Sequence, residues 1–233
     1  MRYVLFLFCF FTSMVHAAQY PVKLGDSTVL IQQESNGCGK AFVHVHQNET
    51  TALKAARSLV KAKGGSVLTL VHSGGRNIVF NLKKTRYEFD PNRIYTNQGI
   101  KKTLQEFGEY SPAAHREVKK LANKIISLLP QGKIIAVHNN ETYSLKNYFP
   151  GHHLAGDARS LNVNKRHFYR NFYLATKQRD YVRFRQLNFN SIWLAENAID
   201  DGSLSVFFAK NRYVNVEAGY DQLAEQIKML KYA

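Results

Sequence analysis

Between residues 28 and 46 the chain reads as two strands, TVLIQQ (28–33) and AFVHVH (41–46), which are β-branched or alternate apolar and polar positions. The period then changes. In ETTALKAARSLVKAK (49–63) apolar residues fall at 53, 56, 59 and 60, a helical spacing that Gly64-Gly65 stops. SVLTLVH (66–72) and NIVFNL (77–82) read as strands separated by Ser73-Gly74-Gly75. AAHREVKKLANKIISLL (113–129) is the clearest helix, closed by Pro130-Gln131-Gly132, and KIIAVH (133–138) follows as a buried-type strand. NFYLAT (171–176), SIWLA (191–195), LSVFF (204–208) and YVNVE (213–217) are strand-like, with a short helix around 178–186. DQLAEQIKML (221–230) closes the chain as an amphipathic helix with Leu223, Ile227 and Leu230 on one face. This alternation predicts an α/β fold, a mixed central sheet flanked by helices. No linker or repeat divides residues 18–233, so one domain is expected. The stretch 139–170 is loop-rich, and long loops in compact domains often carry function.

The opening residues, MRYVLFLFCFFTSMVHAAQ, do not fit that pattern. Arg2 precedes a short apolar run from Tyr3 to Phe11, and Val15-His16-Ala17 supplies a small-residue exit. Residues 1–17 therefore read as a secretory signal peptide, which implies a secreted or periplasmic protein; an uncleaved anchor is the alternative. Cleavage would remove Cys9 and leave Cys38 alone, excluding an intramolecular disulfide.

Charge changes the picture modestly. With 32 Lys and Arg against 17 Asp and Glu, the net charge of +15 favours anionic partners. Residues 164–186 interleave basic and aromatic side chains, a pattern that can bind single-stranded nucleic acid. The aromatics there also fit core positions: Phe172 and Tyr173 in a strand, Tyr181 and Phe184 at helical spacing. An acidic peptide or cell-wall polymer suits a secreted setting better, so neither nucleic acid nor stable membrane insertion is expected.

Candidate chemistry sits at strand ends, where α/β sheets gather their ligands. The pattern H-x-N-E-T occurs twice, as HQNET (46–50) and HNNET (138–142). His46 and His138 each end a strand, and Glu49 follows His46 by three residues on the turn into a helix. Two nitrogens and one carboxylate suit zinc and leave a position for water. Such a spacing also arises by chance, and a lone strand-end histidine is more often structural. Three other segments bear on the choice. FDPNR (89–93) offers an arginine fork beside an amide, a pair suited to a carboxylate. YVNVEAGY (213–220) brings Glu217 out of an otherwise apolar strand, which is costly unless the carboxylate is paired or functional. The acids of DDGSLS (200–205) most simply cap or solvate a turn. His44 reads as a packed strand histidine or a partner behind the ligands, and His152-His153 as loop residues.

In that order, HQNE, DPNR, the histidine of AVHNN and VNVEAG resemble the zinc carboxypeptidase superfamily, nearest its compact aspartoacylase and succinylglutamate desuccinylase branch. The resemblance runs from about 40 to 220. It implies that His46, Glu49 and His138 bind Zn2+, that Asn92 and Arg93 hold a substrate carboxylate, and that Glu217 is the general base and acid. It also implies a second cation a little before the Asn-Arg pair; Arg86 stands there, with Arg76 as the competitor. Tyr143, Tyr148 and Tyr169 are all available for a gating tyrosine. The implied activity is amide hydrolysis: an exopeptidase on a carboxylate-bearing peptide, with an N-acyl amino acid deacylase or a non-catalytic basic binding protein as alternatives. Gln47 departs from the pattern, and the short chain implies no extra carboxy-terminal domain and a more open cleft.

Overall fold

The computed structural model describes residues 16–233, so most of the expected signal peptide lies outside the described residues; His16 and Ala17 open the first strand. The elements run β1 (His16–Leu24), β2 (Ser27–Asn36), β3 (Lys40–His44), α1 (Thr50–Lys63), β4 (Gly65–Val71), β5 (Ile78–Leu82), β6 (Thr85–Phe89), α2 (Asn97–Phe107), α3 (Pro112–Leu128) and β7 (Ile134–Asn140). They continue as β8 (Ala158–Asn162), β9 (Phe172–Ala175), α4 (Gln178–Gln186), β10 (Ser191–Leu194), α5 (Leu204–Phe207), β11 (Tyr213–Gly219) and α6 (Leu223–Tyr232). Two short 3-10 turns, Leu145–Tyr148 and Ala155–Asp157, interrupt the long loop before β8. Among these residues no helix is long and apolar enough to cross a membrane. Cys38 is an exposed free thiol.

Nine strands form one mixed sheet in the order β1-β2-β4-β3-β7-β11-β9-β10-β8. The four central strands β4, β3, β7 and β11 are parallel to their neighbours in that run, and β11 meets β9 antiparallel. Central parallel strands are covered on both faces, and β7 and β11 are accordingly buried at every position. On one face Phe42, Val67, Ile135, Val137, Val214 and Val216 pack with residues of α1, α4 and α6. On the other, Val43, Leu68, Ile134, Ala136 and Tyr213 pack with α2, α3 and the β5–β6 hairpin. Farther along that second face, Phe172 and Leu174 of β9 are covered by Leu145 and Tyr148 from the long loop. Two different covers therefore meet above β7 and β11.

One local reading is corrected. The run 204–208 is a helical turn, α5, rather than a strand. The Ser203 hydroxyl accepts a hydrogen bond from the Val206 amide and caps it, which alternation alone does not reveal. Residues 97–107, for which periodicity predicts no element, form α2, capped by Thr96, whose hydroxyl accepts from the Gly99 amide. Its apolar stripe is narrow, Ile100 and Leu104, which hid it.

The start of α2 presses against the turn at 200–203. A side chain on Gly99 would collide with the Gly202 Cα and the Arg93 carbonyl. Gly99→Ala is expected to destabilise the fold by about 1–3 kcal/mol through this overpacking. A denaturant titration with an unchanged midpoint would show that the contact yields freely.

Candidate metal centre and its cavity

The turn after β3 builds the first half of the site. The Glu49 amide donates to the His46 carbonyl at 3.0 Å, folding the chain back so that the carboxylate meets the imidazole three residues earlier. His46 Nδ1 lies 2.9 Å from Glu49 Oε1. The turn is held from below by His44, whose Nε2 is 3.0 Å from the Glu49 carbonyl and whose Nδ1 is 2.8 Å from Thr69 Oγ1. Burial lowers His44 to about 4, so it works here as a neutral ring.

β7 supplies the second half. His138 Nδ1 is 3.0 Å from Glu49 Oε2 and 3.2 Å from His46 Nδ1. His46, Glu49 and His138 are all buried and offer ligand atoms within 4.8 Å of one another. Their donor set fits a zinc ion. Zinc ligands at about 2.0–2.2 Å in a tetrahedron stand roughly 3.3 Å apart, close to the 2.9–3.2 Å spacings here. The protonation pattern agrees. His46 Nε2 must donate to the Asp90 carboxylate 2.7 Å away. In the neutral ring Nδ1 then carries a lone pair aimed at the Glu49 carboxylate. A proton on Nδ1 or a cation between the donors relieves that arrangement. His138 is held from its Nδ1 side, since its buried Nε2 has no partner among the described residues.

Electrostatics tie the group together. Burial raises the Glu49 carboxyl, but His46 and His138 outweigh it and hold the group well below its ordinary value. Burial likewise opposes charge on His46, yet Glu49 and Asp90 raise the ring to about 9. Asp90 is itself lowered by His46 and Arg76 against its own burial. Asp90 is the residue that motif reading passed over. Its place inside FDPNR, an acid before a proline turn, was the available signal.

Arg86 does not reach this site, which corrects its expected role. In the β5–β6 hairpin Asn81 pairs with Arg86 near the tip, whereas Ile78 pairs with Phe89 at the base. Arg86 also lies on the outer face, paired with Glu88 at 2.5 Å. The chain enters the hairpin base just after Arg76 and leaves it just before Asp90. Arg76 Nη1 lies 2.6 Å from Glu49 Oε1 and Nη2 lies 3.3 Å from Asp90 Oδ2. Arg76, not Arg86, is thus the arginine beside the donor group.

A cavity of about 700 Å³ opens over the group, between the two covers of the sheet face. Glu49, His138, Arg76, Asn92, Arg93 and Glu217 all line it. Glu217 is the register partner of His138 across β7 and β11. Its carboxylate accepts from Asn140 Nδ2 at 2.9 Å and from Asn215 Nδ2 at 3.0 Å. Asn92 Oδ1 accepts from the Leu204 amide at 3.2 Å, and Arg93 Nη1 pairs with Asp201 Oδ2 at 3.2 Å. Tyr143 and Tyr148 hydrogen-bond to each other on the wall, and Tyr220 joins the lining through Asn48. Glu141 and His153 line the cavity too, but neither is among the converging donors.

No protein-family model and no curated protein matches the chain. Among solved structures, it is similar to an aspartoacylase family protein from Mesorhizobium loti over 95% of this chain and 66% of that one, at 10% identity and a TM-score of 0.44. The chain thus spans just under two thirds of that protein's length. It is also similar to a bromoperoxidase from Bacillus anthracis over 90% of this chain and 78% of the other, at 15% identity and a TM-score of 0.21.

A metal held by this group would compete with a proton for His46 Nδ1. Glu49 and Asp90 raise the ring to about 9, so a metal bound there below that pH would displace a proton. Zinc affinity is expected to rise about tenfold per pH unit between about pH 6 and 8, read by competition with a chromophoric chelator. A flat profile would remove His46 from the ligand set. In the same assay Asp90→Asn is expected to weaken zinc binding about 10–100-fold, because the ring loses the acceptor that orients it.

Proposed function

We propose that the protein is a secreted or periplasmic zinc-dependent amide hydrolase, an exopeptidase of the carboxypeptidase type acting on a peptide with a free carboxylate. The observation that carries this reading is a single cavity lined by Glu49, His138, Glu217 and Arg93, with His46 completing the donor group beneath it. The motif order HQNE, DPNR, AVHNN, VNVEAG supports it independently.

His46, Glu49 and His138 would hold the zinc, which supplies a lowered pKa for water and polarisation of the scissile carbonyl. The remaining work falls to the chain. Glu217 takes the proton of the attacking water on a carboxylate oxygen and returns it to the leaving nitrogen. Asn140 and Asn215 each donate to one oxygen of that carboxylate, fixing its orientation before substrate arrives. Arg76 contributes positive charge where the carbonyl oxygen becomes anionic. Arg93 holds the substrate carboxylate, with Asn92 beside it. The basic composition suits a peptide released from an anionic cell-wall polymer.

An N-acyl amino acid deacylase would use the same residues, and the free carboxylate requirement is common to both. A basic binding protein without turnover is the non-enzymatic alternative. A zinc-loaded screen of peptides and N-acyl amino acids separates them: turnover of neither class would leave only the binding reading. Glu217→Gln is expected to keep full zinc content and lose about 10²–10⁴-fold in kcat. Unchanged kcat in metal-replete variant protein would remove Glu217 from the proton transfers.

A further inference from the structure

The turn that reads as mere capping in the sequence, DDGSLS, places an acid beside the carboxylate-binding arginine. Asp201 Oδ2 lies 3.2 Å from Arg93 Nη1, and both side chains line the cavity with 43% and 37% of their surface exposed. The acid is bolted in place. The Tyr95 amide donates to the Gly202 carbonyl at 2.9 Å, and Thr96 Oγ1 donates to Asp200 Oδ1 at 2.8 Å. Asp201 Oδ1 accepts from the Ser203 amide at 2.9 Å. Gly99 and Gly202 meet backbone to backbone beneath the pair. These contacts hold the backbone of the turn, and swinging the Asp201 side chain away would break its bond from the Ser203 amide.

A bare carboxylate approaching Arg93 therefore meets a fixed negative charge beside the guanidinium. A head group carrying both a carboxylate and an ammonium satisfies the two side chains at once. We propose that Arg93 and Asp201 together recognise an amino-acid zwitterion, so that the scissile amide lies on that residue's side chain: an ω-amide or isopeptide, not an ordinary α-peptide bond. With the α-amine free, it is the distal nitrogen that the hydrolytic group must reach. Leu154, Leu174 and Leu194 on the same cavity wall offer an apolar track for the intervening methylenes. This inference rests on the metal-assisted amide hydrolase reading above, replaces its carboxy-terminal α-peptide bond by a side-chain amide, and makes Asp201 a specificity-determining residue.

Two probes differ only in the amine: Nε-acetyl-lysine and 6-acetamidohexanoate. Calorimetric titration of the zinc-loaded Glu217→Gln variant measures their binding without turnover. The lysine derivative is expected to bind at least about tenfold more tightly, the scale of one well-placed charge contact. Adding Asp201→Asn should move the probes in opposite directions, weakening the zwitterion and strengthening the plain carboxylate. Adding Asp201→Glu, which keeps the charge, should retain the preference. Equal affinities, binding of neither probe, or a parallel loss for both with Asp201→Asn would overturn the assignment. The wild-type enzyme is assayed alongside for hydrolysis. Selective binding without any turnover would sink the hydrolase reading and leave the zwitterion site standing. Turnover without selectivity would do the reverse.

Discussion

Glu49 is a carboxylate almost wholly buried at the floor of the cavity. An unpaired charge in that position costs several kcal/mol, and removing one partner of a buried pair leaves that cost uncompensated. Four groups converge on it: His46 Nδ1 at 2.9 Å, His138 Nδ1 at 3.0 Å, Arg76 Nη1 at 2.6 Å and the Asn139 amide at 3.1 Å. They come from the turn after β3, from the loop before the β5–β6 hairpin and from β7. Satisfying one buried anion thus fixes three separate pieces of chain against each other.

The topology makes this possible. β3, β7 and β11 run parallel, so their carboxyl ends open on one edge of the sheet. Parallel register sets Glu217 opposite His138, and the carboxylate is then steadied by amides on its own strand and the next. The hairpin closes the group from the side, because antiparallel pairing returns its two ends together and brings Arg76 and Asp90 to one place. The last helix contributes from behind. Gln226 donates to the His138 carbonyl at 2.9 Å and accepts from Asn139 Nδ2 at 3.0 Å. The site is held by every layer of the fold rather than by one loop.

Much of this was legible from periodicity. The helical spacing of 49–63 and 113–129 and the apolar runs ending in His138 and Glu217 predict α1, α3, β7 and β11 nearly as observed. What escaped was pairing. Arg86 and Arg76 look equivalent along the chain, since each precedes the Asn-Arg pair, and only the hairpin register separates tip from base. Asp90 looked like part of a proline turn until its carboxylate met His46. Asp201 looked like a solvated acid until the turn packed on α2. Each is a polar residue whose role is set by a distant segment, and such contacts leave no periodic trace.

The two H-x-N-E-T stretches show the same point within one pattern. After His46 the strand has ended, and the chain turns so that Glu49 returns to the imidazole. After His138 the strand continues to Asn140, and side chains alternate across the sheet. Asn139 turns one way, accepting from the Ala52 amide at 2.8 Å and donating to Gln226. Asn140 turns the other way and holds Glu217. Glu141 then emerges exposed at the cavity and takes no part in the donor group. Identical letters thus give a turn that closes the donor group in one place and an orienting strand in the other. The difference is the backbone conformation after the histidine. A second turn at 138 would bring a fourth donor into the group and fill the position that the proposed hydrolase reading requires to be open.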